Sequence, residues 1–440
     1  MLDSRGTPTV ACSATLAAGV SASAAVPSGA SVGQHEAREL RDGGARYGGR
    51  GVLQAVASVN GEIADCLRGL DASDQTFIDR RLRELDGTLD FSRLGANAVL
   101  AASVACALAS AAAHHVPLWR LLAGEAPPLL PLPMVNVLSG GAHAGGLVDL
   151  QDVLVVPVGA STFGEAIEWA GRVRVATAAV LRERGHETWL VADEGGLAAP
   201  LSSNREAVEV VAAGIERSGL IPGEQAAIAI DVAATQFQEH DRYEFAREHR
   251  SLSAGELVEE IRSWCDLYPI VSIEDPLGED DAEGWHLASG RLSGQLLGDD
   301  LFVTSPERLK AGIAGRIANA VLIKPNQIGT LSDARQVVEI ARAANYATVL
   351  SARSGETEDV WLAELAVGWR AGQLKVGSTT RSERNAKWNH LLRIEAENQD
   401  AAFAGRSALG CGSDRPSCRA AGFAANRARD SLGGRSDGAS

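Results

Sequence analysis

The sequence predicts an α/β protein in which an N-terminal α+β domain precedes a larger α/β barrel. Apolar runs recur along the second half of the chain, and each run ends in or carries a charged residue. The last five intervals between these charged residues are 43, 25, 25, 29 and 22 residues, and amphipathic segments such as "SLSAGELVEEIRSWCDLY" and "LSDARQVVEIARAAN" lie between the runs. Strands and helices that alternate at this spacing are typical of a parallel barrel.

The composition is that of a globular protein without a nucleic-acid footprint. The 440 residues carry a formal charge of −15, whereas a protein that binds DNA or RNA phosphates needs a basic surface. The 6 cysteines form no CxxC pair, which argues against a zinc ribbon and fits a reducing compartment. The start "MLDSRGTPTV" lacks a signal pattern, and the apolar stretch 99–113 is short and rich in Ala and Ser. We therefore expect a cytoplasmic protein that binds no membrane.

Changes in composition divide the chain into four parts. Residues 1–123 mix an alternating strand pair, "TPTVACSATLAAGVSASAAVPSG", with helical patterns such as "RGVLQAVASVNGEIADCLRGL", and we interpret them as an α+β capping domain. The Pro-rich segment 124–133 is a connector, and residues 134–404 form the barrel. Residues 405–440 are rich in Gly, Ala, Ser and Arg, which predicts a disordered tail.

The predicted barrel strands bring charged side chains to one face. The carboxyl ends of barrel strands meet at the face that carries the chemistry in such folds, so residues far apart in sequence are expected to lie together. The runs are "TWLVADE" to Glu194, "AAIAID" to Asp231, "PIVSIE" to Glu274, "GQLLGD" to Asp299, "NAVLIK" to Lys324, "ATVLSAR" to Arg353, and "GQLKVG", which carries Lys375.

Three of these residues suggest a metal site. Asp231, Glu274 and Asp299 would repel one another unless a cation lies between them, and oxygen ligands without Cys or His suit Mg²⁺. The alternative is three surface acids in ion pairs. Lys324 and Lys375 favour the metal, because a lysine beside a metal can have its pKa lowered and act as a base. Such a site suits removal of a proton next to a carboxylate.

Eight motifs in order resemble the enolase family. They span the chain from about residue 2 to residue 405 and read "SGASVGQHEARELRDG", "LPMVNVLSGGAHAGG", "ADEGG", "SIEDP", "GDDLFVT", "IKPNQIGT", "RSGETED" and "RSERNAKWNHLLRIE". The resemblance implies an enolase-type barrel and a carbon–oxygen hydro-lyase that uses Mg²⁺, with two ions per active site. It also implies a homodimer or higher homo-oligomer. The chain begins inside the family's first hairpin, so we expect that the domain's first strand is missing.

The resemblance also implies a role for each matching residue. These roles are metal ligation by Asp231, Glu274 and Asp299; ligation of a second Mg²⁺ by Ser31; C2 proton removal by Lys324; assistance to the leaving C3 hydroxyl by Glu194; binding of the substrate carboxylate by Lys375; and contact with the phosphoryl group by Arg353, Ser354 and His143.

The chain departs from the family pattern inside the predicted site. Ala352 in "SARS" stands where the family has His, and Asp152 in "LQD" stands in a substrate-binding position where the family has Glu. The segment "VAATQF" after Asp231 is less acidic than usual. Loss of an imidazole can cost orders of magnitude in rate, and a carboxylate one methylene shorter weakens a catalytic hydrogen bond.

These departures leave three functions open. The first is a dehydratase specialised for a phosphorus analogue, for example carboxyphosphonoglycerate, which would yield carboxyphosphonoenolpyruvate; its substrate would be a small phosphorylated or phosphono carboxylic acid. The second is an ordinary glycolytic enolase that acts on 2-phosphoglycerate. The third belongs to another class, a non-catalytic binding protein that keeps the enolase fold.

Overall fold

The computed structural model describes residues 1–30 and 33–410. Most of the predicted disordered tail, and Ser31 with it, lies outside these residues. The strands are β1 Ala11–Thr15, β2 Ser21–Ala25, β3 Leu129–Leu130, β4 Leu132–Ser139, β5 Asp152–Val156, β6 Ala227–Asp231, β7 Gln238–Glu239, β8 Arg242–Phe245, β9 Arg250–Ser253, β10 Ile270–Glu274, β11 Gln295–Gly298, β12 Ala320–Ile323, β13 Ala347–Ser351, β14 Gly372–Gly377 and β15 Ala402–Phe403.

Most of the remaining regular structure is α-helical. The α-helices are α1 Leu53–Ser58, α2 Ala64–Leu67, α3 Gln75–Asp86, α4 Ala96–Ala113, α5 Leu118–Ala123, α6 Phe163–Glu183, α7 Asn204–Arg217, α8 Ala254–Leu267, α9 Ala282–Arg291, α10 Pro306–Gly315, α11 Leu331–Ala343, α12 Trp361–Gly368 and α13 Ser382–Glu397. A π-helical turn, Val59–Ile63, joins α1 to α2. Short 3₁₀ helices span Arg46–Gly49, Gly141–Ala144, Ala234–Phe237, Pro325–Gln327 and Gly405–Ala408.

Eight strands close the predicted barrel, in the order β4, β5, β6, β10, β11, β12, β13 and β14. Strand β5 is antiparallel to both of its neighbours, so the barrel is not fully parallel as the spacing had predicted. The reason is the connection: β4 reaches β5 without an intervening α-helix, and a chain that returns directly pairs antiparallel. From β6 to β14 the predicted alternation of barrel strand and helix is confirmed, apart from a small separate sheet, β7–β9, inserted between β6 and α8.

One predicted strand is wrong. The segment "TWLVADE" forms no strand but a loop between α6 and α7, and the Trp189 side chain is 85% exposed. The barrel closes without this segment, because β4 and β5, which lie earlier in the chain, are the two strands that come before β6 in the barrel. Its last residue, Glu194, is nevertheless buried near the end of β14, because Ser378 N–H donates to its backbone carbonyl at 2.9 Å.

The N-terminal domain packs a helix on a hairpin. β1 and β2 pair antiparallel as their alternating pattern predicts, and α4 packs against both. Helix α4 is the one helix of the described residues that is long and apolar enough to cross a membrane, but 83% of it is buried inside the fold, as is usual for a core helix. Its small Ala and Ser side chains allow this close packing.

Two boundaries differ from those drawn on the sequence. β4 begins at Leu132, inside the segment interpreted as a connector, and β3 within that segment pairs with β15. Residues 405–410 are ordered rather than part of a disordered tail. Leu409 is buried among the first residues of the barrel strands, and the Gly410 N–H donates to Gln295 Oε1 at 2.9 Å. These contacts close the amino-terminal end of the barrel, a tertiary role that the composition of the segment does not show.

A buried carboxylate fastens the N-terminal domain to the barrel. Asp79 on α3 accepts hydrogen bonds from the Ser103 hydroxyl at 2.6 Å and from the Ser332 N–H, at the start of α11, at 2.8 Å. The Leu331 N–H donates in turn to Ser103 Oγ at 3.2 Å. The first N–H groups of a helix have no partner within the helix, so Asp79 and Ser103 satisfy them from the other domain.

We expect Asp79→Ala to lower the free energy of unfolding by about 2 kcal/mol, because it leaves buried donors without an acceptor. The measurement is urea denaturation at pH 8, above the pKa of about 6 to which burial raises this carboxyl group. Glu84→Ala is the control on the same helix, since its ion pairs are exposed and its loss is expected to cost no more than about 0.5 kcal/mol. Equal losses in the two variants would contradict the role of Asp79.

Candidate active site

Paired charges occupy the carboxyl-terminal mouth of the barrel. Asp231 and Glu274 end neighbouring strands and are register partners, and Lys375 Nζ lies 2.7 Å from a carboxylate oxygen of each. Asp299 directly follows β11 and pairs with Lys324, which directly follows β12. The structure therefore brings together these five of the seven charged residues that the predicted strands carry. All five side chains are almost fully shielded from solvent.

The charges at this mouth shift one another's protonation. Burial, and then the charge of Asp231, raise the pKa of Glu274 well above its ordinary value. Burial lowers the pKa of Lys324, as do the nearby cations of Arg353 and Lys375, but the negative charge of Asp299, aided by Glu274, outweighs them, so that the pKa is raised overall. The pKa of Lys375 is raised well above its ordinary value for the same reason, through Asp231 and Glu274. Both lysines are therefore protonated in this arrangement.

Arg353 and Ser354 follow β13 and are both buried. The Arg353 guanidinium forms a two-pronged ion pair with Glu36, with Nη1 at 2.8 Å from Oε2 and Nη2 at 3.2 Å from Oε1, and it also donates to Asn326 Oδ1. Ser354 Oγ accepts from the Ala30 N–H at 2.6 Å. The N-terminal domain thus reaches into the barrel mouth through the segment that contains Glu36.

His143 lies between two carboxylates. Its Nδ1 is 2.9 Å from Asp152 Oδ2, and its Nε2 is 4.0 Å from Glu194 Oε1. Asp152, shorter than the family's Glu, also accepts from Ser139 Oγ at 2.7 Å and from Asn136 Nδ2. Burial lowers the pKa of His143, but Asp152 and Glu194 outweigh it and raise the pKa to about 9. His143 is therefore a cation at neutral pH.

The described residues contain two groups of potential metal ligands, and within each group the ligand atoms lie within 4.8 Å of one another. The first is His143, Asp152 and Glu194, and the second is Asp275, Asp299 and Asp300. The set Asp231, Glu274 and Asp299 is not one of these groups, and lysine ammonium groups lie against its carboxylates. In the second group, the Asp275 carboxylate is occupied by the N–H groups of Asp299 and Asp300. Ser31 lies outside the described residues.

Three further polar residues at the mouth were not identified from the sequence. Gln151 donates to Asp231 Oδ2 at 3.0 Å, Glu36 pairs with Arg353, and Arg384 on α13 lies 3.9 Å from Glu194 Oε1. Each stands inside a motif that was quoted for the family resemblance or next to a residue that was singled out. The position within the motif was the only available signal, because none of the three ends a barrel strand. Ala352 is buried in the hydrophobic core beside these groups.

Comparison with known proteins covers nearly the whole chain. Residues 1–122 match the family model "Enolase, N-terminal domain", and residues 127–410 match "Enolase, C-terminal TIM barrel domain". A curated protein named Enolase, from Rubrobacter xylanophilus, is 50% identical over 405 residues, which are 91% of this chain and 94% of that protein.

The pairing of His143 predicts a pH-dependent contribution to stability. Because its pKa rises from 6.5 to about 9 on folding, the stabilisation is fully present below pH 6.5 and is lost as the pH rises through 9. We expect the difference in unfolding free energy between the parent and His143→Gln to shrink by up to about 3 kcal/mol across this window. Urea denaturation in EDTA between pH 6 and pH 10 measures it.

The Asp152→Asn variant tests whether Asp152 causes this effect. It removes the first carboxylate partner of His143. In the Asp152→Asn background, we therefore expect His143→Gln to change the unfolding free energy by nearly the same amount at every pH. Parallel pH profiles for the parent and His143→Gln would contradict the assignment of a charged His143.

Proposed function

Because the chain belongs to the enolase family, we propose that it is the hydro-lyase that dehydrates 2-phosphoglycerate to the enolpyruvate product. The observation that carries this proposal is a cluster of ion pairs at one mouth of the barrel, where Lys324 pairs with Asp299 and Lys375 pairs with Asp231 and Glu274. Family membership also favours an enzyme over a non-catalytic binding protein. The substrate is a small phosphorylated carboxylic acid, which the buried cations of the mouth suit.

The residues present fit a divalent cation. All three donors at Asp231, Glu274 and Asp299 are carboxylates, the ligand type that Mg²⁺ prefers. Glu274 Oε1 is buried and has no hydrogen-bond partner among the described residues, so it is available as a ligand. When bound, Mg²⁺ would supply positive charge that stabilises the negative charge developing on the substrate carboxylate. We propose these three residues as its ligands and Ser31 as a ligand of a second ion.

We propose that Lys324 removes the C2 proton. It follows β12, its backbone N–H is held by Thr304 Oγ1 at 2.9 Å, and its ammonium contacts Asp299. In the described arrangement Asp299 keeps it protonated, so Lys324 accepts a proton only when the charge of Asp299 is taken up by another cation. Lys375, which remains a cation, would bind the substrate carboxylate.

We propose that Glu194 protonates the leaving C3 hydroxyl. It enters the mouth beside β14, away from Lys324 on β12, so an acid and a base can act on neighbouring carbons of one substrate. His143, held as a cation by Asp152, faces Glu194 and would contribute to the same proton transfer and to the binding of the phosphoryl group. Arg353 and Ser354 would bind that phosphoryl group, the guanidinium through paired hydrogen bonds.

The comparisons favour 2-phosphoglycerate over the phosphono analogue. The 50% identical relative is named Enolase, and no finding supports a carboxyphosphonoenolpyruvate synthase or a role in antibiotic biosynthesis. Ala352 and Asp152 are the observations that had suggested specialisation. Asp152 is fully hydrogen-bonded in place, so its shorter side chain leaves no gap in the network. The oligomeric state and the cytoplasmic location that the sequence suggested stay predictions.

We expect the purified protein to dehydrate 2-phosphoglycerate with Mg²⁺ and to lose this activity in EDTA. Lys324→Ala is expected to reduce both turnover and exchange of the C2 proton with solvent deuterium by about 10³-fold, whereas Glu194→Gln slows dehydration more than exchange. Lys310→Ala, an exposed lysine on α10, is the control and is expected to match the parent. Exchange at the parental rate in Lys324→Ala would exclude this lysine as the base.

The choice of substrate is tested by comparing kcat/KM on two compounds. We expect the parent to use 2-phosphoglycerate at least about tenfold better than carboxyphosphonoglycerate, because discrimination reflects the difference in transition-state binding. The Ala352→His variant adds an imidazole next to Arg353 and is expected to lower use of the bulkier analogue further. A parent that prefers the analogue, with the preference reversed in Ala352→His, would instead support the specialised enzyme.

A further inference from the structure

Arg384 is a buried cation that the proposed chemistry does not use. Its side chain, on α13, has no exposure to solvent, and its guanidinium holds backbone carbonyls rather than a carboxylate fork. Nη1 donates to the carbonyl oxygens of Arg353 at 2.7 Å and Val376 at 2.9 Å, and Nη2 donates to that of Ser354 at 2.5 Å. Nε forms no hydrogen bond among the described residues and lies 3.5 Å from Glu383 Oε1. Burying an arginine is costly unless it is hydrogen-bonded, so the three carbonyls that accept from Nη1 and Nη2 favour this position of the guanidinium.

Two of the three carbonyls that Arg384 holds belong to Arg353 and Ser354, the residues proposed to bind the phosphoryl group. The backbone of residues 353–357 is fastened from outside along its whole length. The Gly355 carbonyl accepts from Ser28 N at 2.8 Å, the Glu356 carbonyl from Ser4 N at 2.8 Å and the Thr357 carbonyl from Lys387 Nζ at 2.5 Å. Arg384 supplies the charged donors at the first two residues of this segment, Arg353 and Ser354, which carry the anion-binding side chains.

The same guanidinium reaches the proposed acid. Arg384 Nη1 lies 3.9 Å from Glu194 Oε1. Gly377 packs between the two residues: a Cβ there would lie 2.8 Å from the Glu194 carbonyl oxygen and 3.0 Å from Arg384 Cδ, and its φ of +120° is unfavourable for other residues. The absence of a side chain at Gly377 therefore lets Arg384, Glu194 and the end of β14 pack in direct contact.

We propose that Arg384 is a positioning residue that sets the distance between the anion-binding pair Arg353–Ser354 and the acid Glu194. This proposal rests on the proposed function and deepens it, since it identifies a residue that fixes the position of the phosphoryl-binding residues relative to the acid. Arg384 touches no substrate. A displacement of about 1 Å between binding and reacting groups can reduce a rate about a hundredfold, which gives such a residue a measurable effect.

The test compares two steps of one reaction in Arg384→Lys. Lysine keeps the charge but cannot hold three carbonyls with a planar fork. Removal of the C2 proton depends on Lys324, which has no contact with Arg384 in the described residues, whereas departure of the hydroxide depends on Glu194. We therefore expect dehydration to fall by at least about tenfold more than C2 proton exchange does. Binding of inorganic phosphate, measured by calorimetry, is expected to weaken about tenfold, because Arg353 and Ser354 shift.

Lys387→Met is the matched control. Lys387 is a second buried cation on α13 and holds the same segment at Thr357, but its carboxylate partner is Glu356 and not Glu194. We expect this variant to lose stability and to weaken phosphate binding without changing the ratio of exchange to dehydration. An Arg384→Lys variant that loses thermal stability while both rates fall equally and phosphate affinity is unchanged would overturn the proposal and leave Arg384 as a structural residue.

A second variant covers the case in which Arg384→Lys does not fold. Gly377→Ala keeps the guanidinium but pushes a methyl group against Arg384 Cδ and Glu194, so it is expected to raise the same ratio; an unchanged ratio would overturn the proposal. Failure of the proposed function is distinguishable. A parent that neither exchanges nor dehydrates 2-phosphoglycerate would refute that function. Phosphate binding that weakens more in Arg384→Lys or Gly377→Ala than in Lys387→Met would still support positioning, whereas parental binding in both would refute it.

Discussion

Burial of opposite charges at the barrel mouth is the constraint on which the rest of the structure depends. Asp231, Glu274, Asp299, Lys324 and Lys375 are all shielded from water, and an isolated charge in such a place would neutralise itself. Each carboxylate therefore has an ammonium partner: Lys324 directly follows β12, and Lys375 lies within β14. The order of the strands decides which charged residues become neighbours. The ion pairs of the site therefore form only when the barrel closes in this strand order.

The elements around the barrel extend the same pairing outward. Glu36 from the N-terminal domain neutralises Arg353, and Lys387 from α13 pairs with Glu356. Removing one partner of such a buried pair costs far more than the pair itself contributes to stability. The mouth is consequently built from residues of both domains and of the last helix, and no single barrel segment contains the site. The contact of Asp79 with the start of α11 ties the same two domains together below it.

The departures from the family pattern have different structural consequences. Asp152 keeps a complete set of donors, from Asn136, Ser139 and His143, so the shorter carboxylate is accommodated by its neighbours. Ala352 is buried among apolar side chains and makes hydrogen bonds through its backbone: its N–H donates to the Lys375 carbonyl at 2.9 Å, and its carbonyl accepts from the Ser351 hydroxyl at 3.0 Å. An imidazole is absent there, and the cation nearest to Glu194 is supplied by His143 or Arg384 instead.

The sequence by itself determined the barrel from β6 to β14 and the residues at its strand ends, because a buried strand and an amphipathic helix have periods that can be counted. It did not determine the first part of the barrel. The segment "TWLVADE", whose Trp189 and Leu190 are exposed, has the same apolar character as β5, and only the packed structure shows which one pairs with β6. Glu36, Gln151 and Arg384 likewise depend on contacts between segments that are distant in sequence. Such contacts follow from three-dimensional packing, which no local pattern of residues encodes.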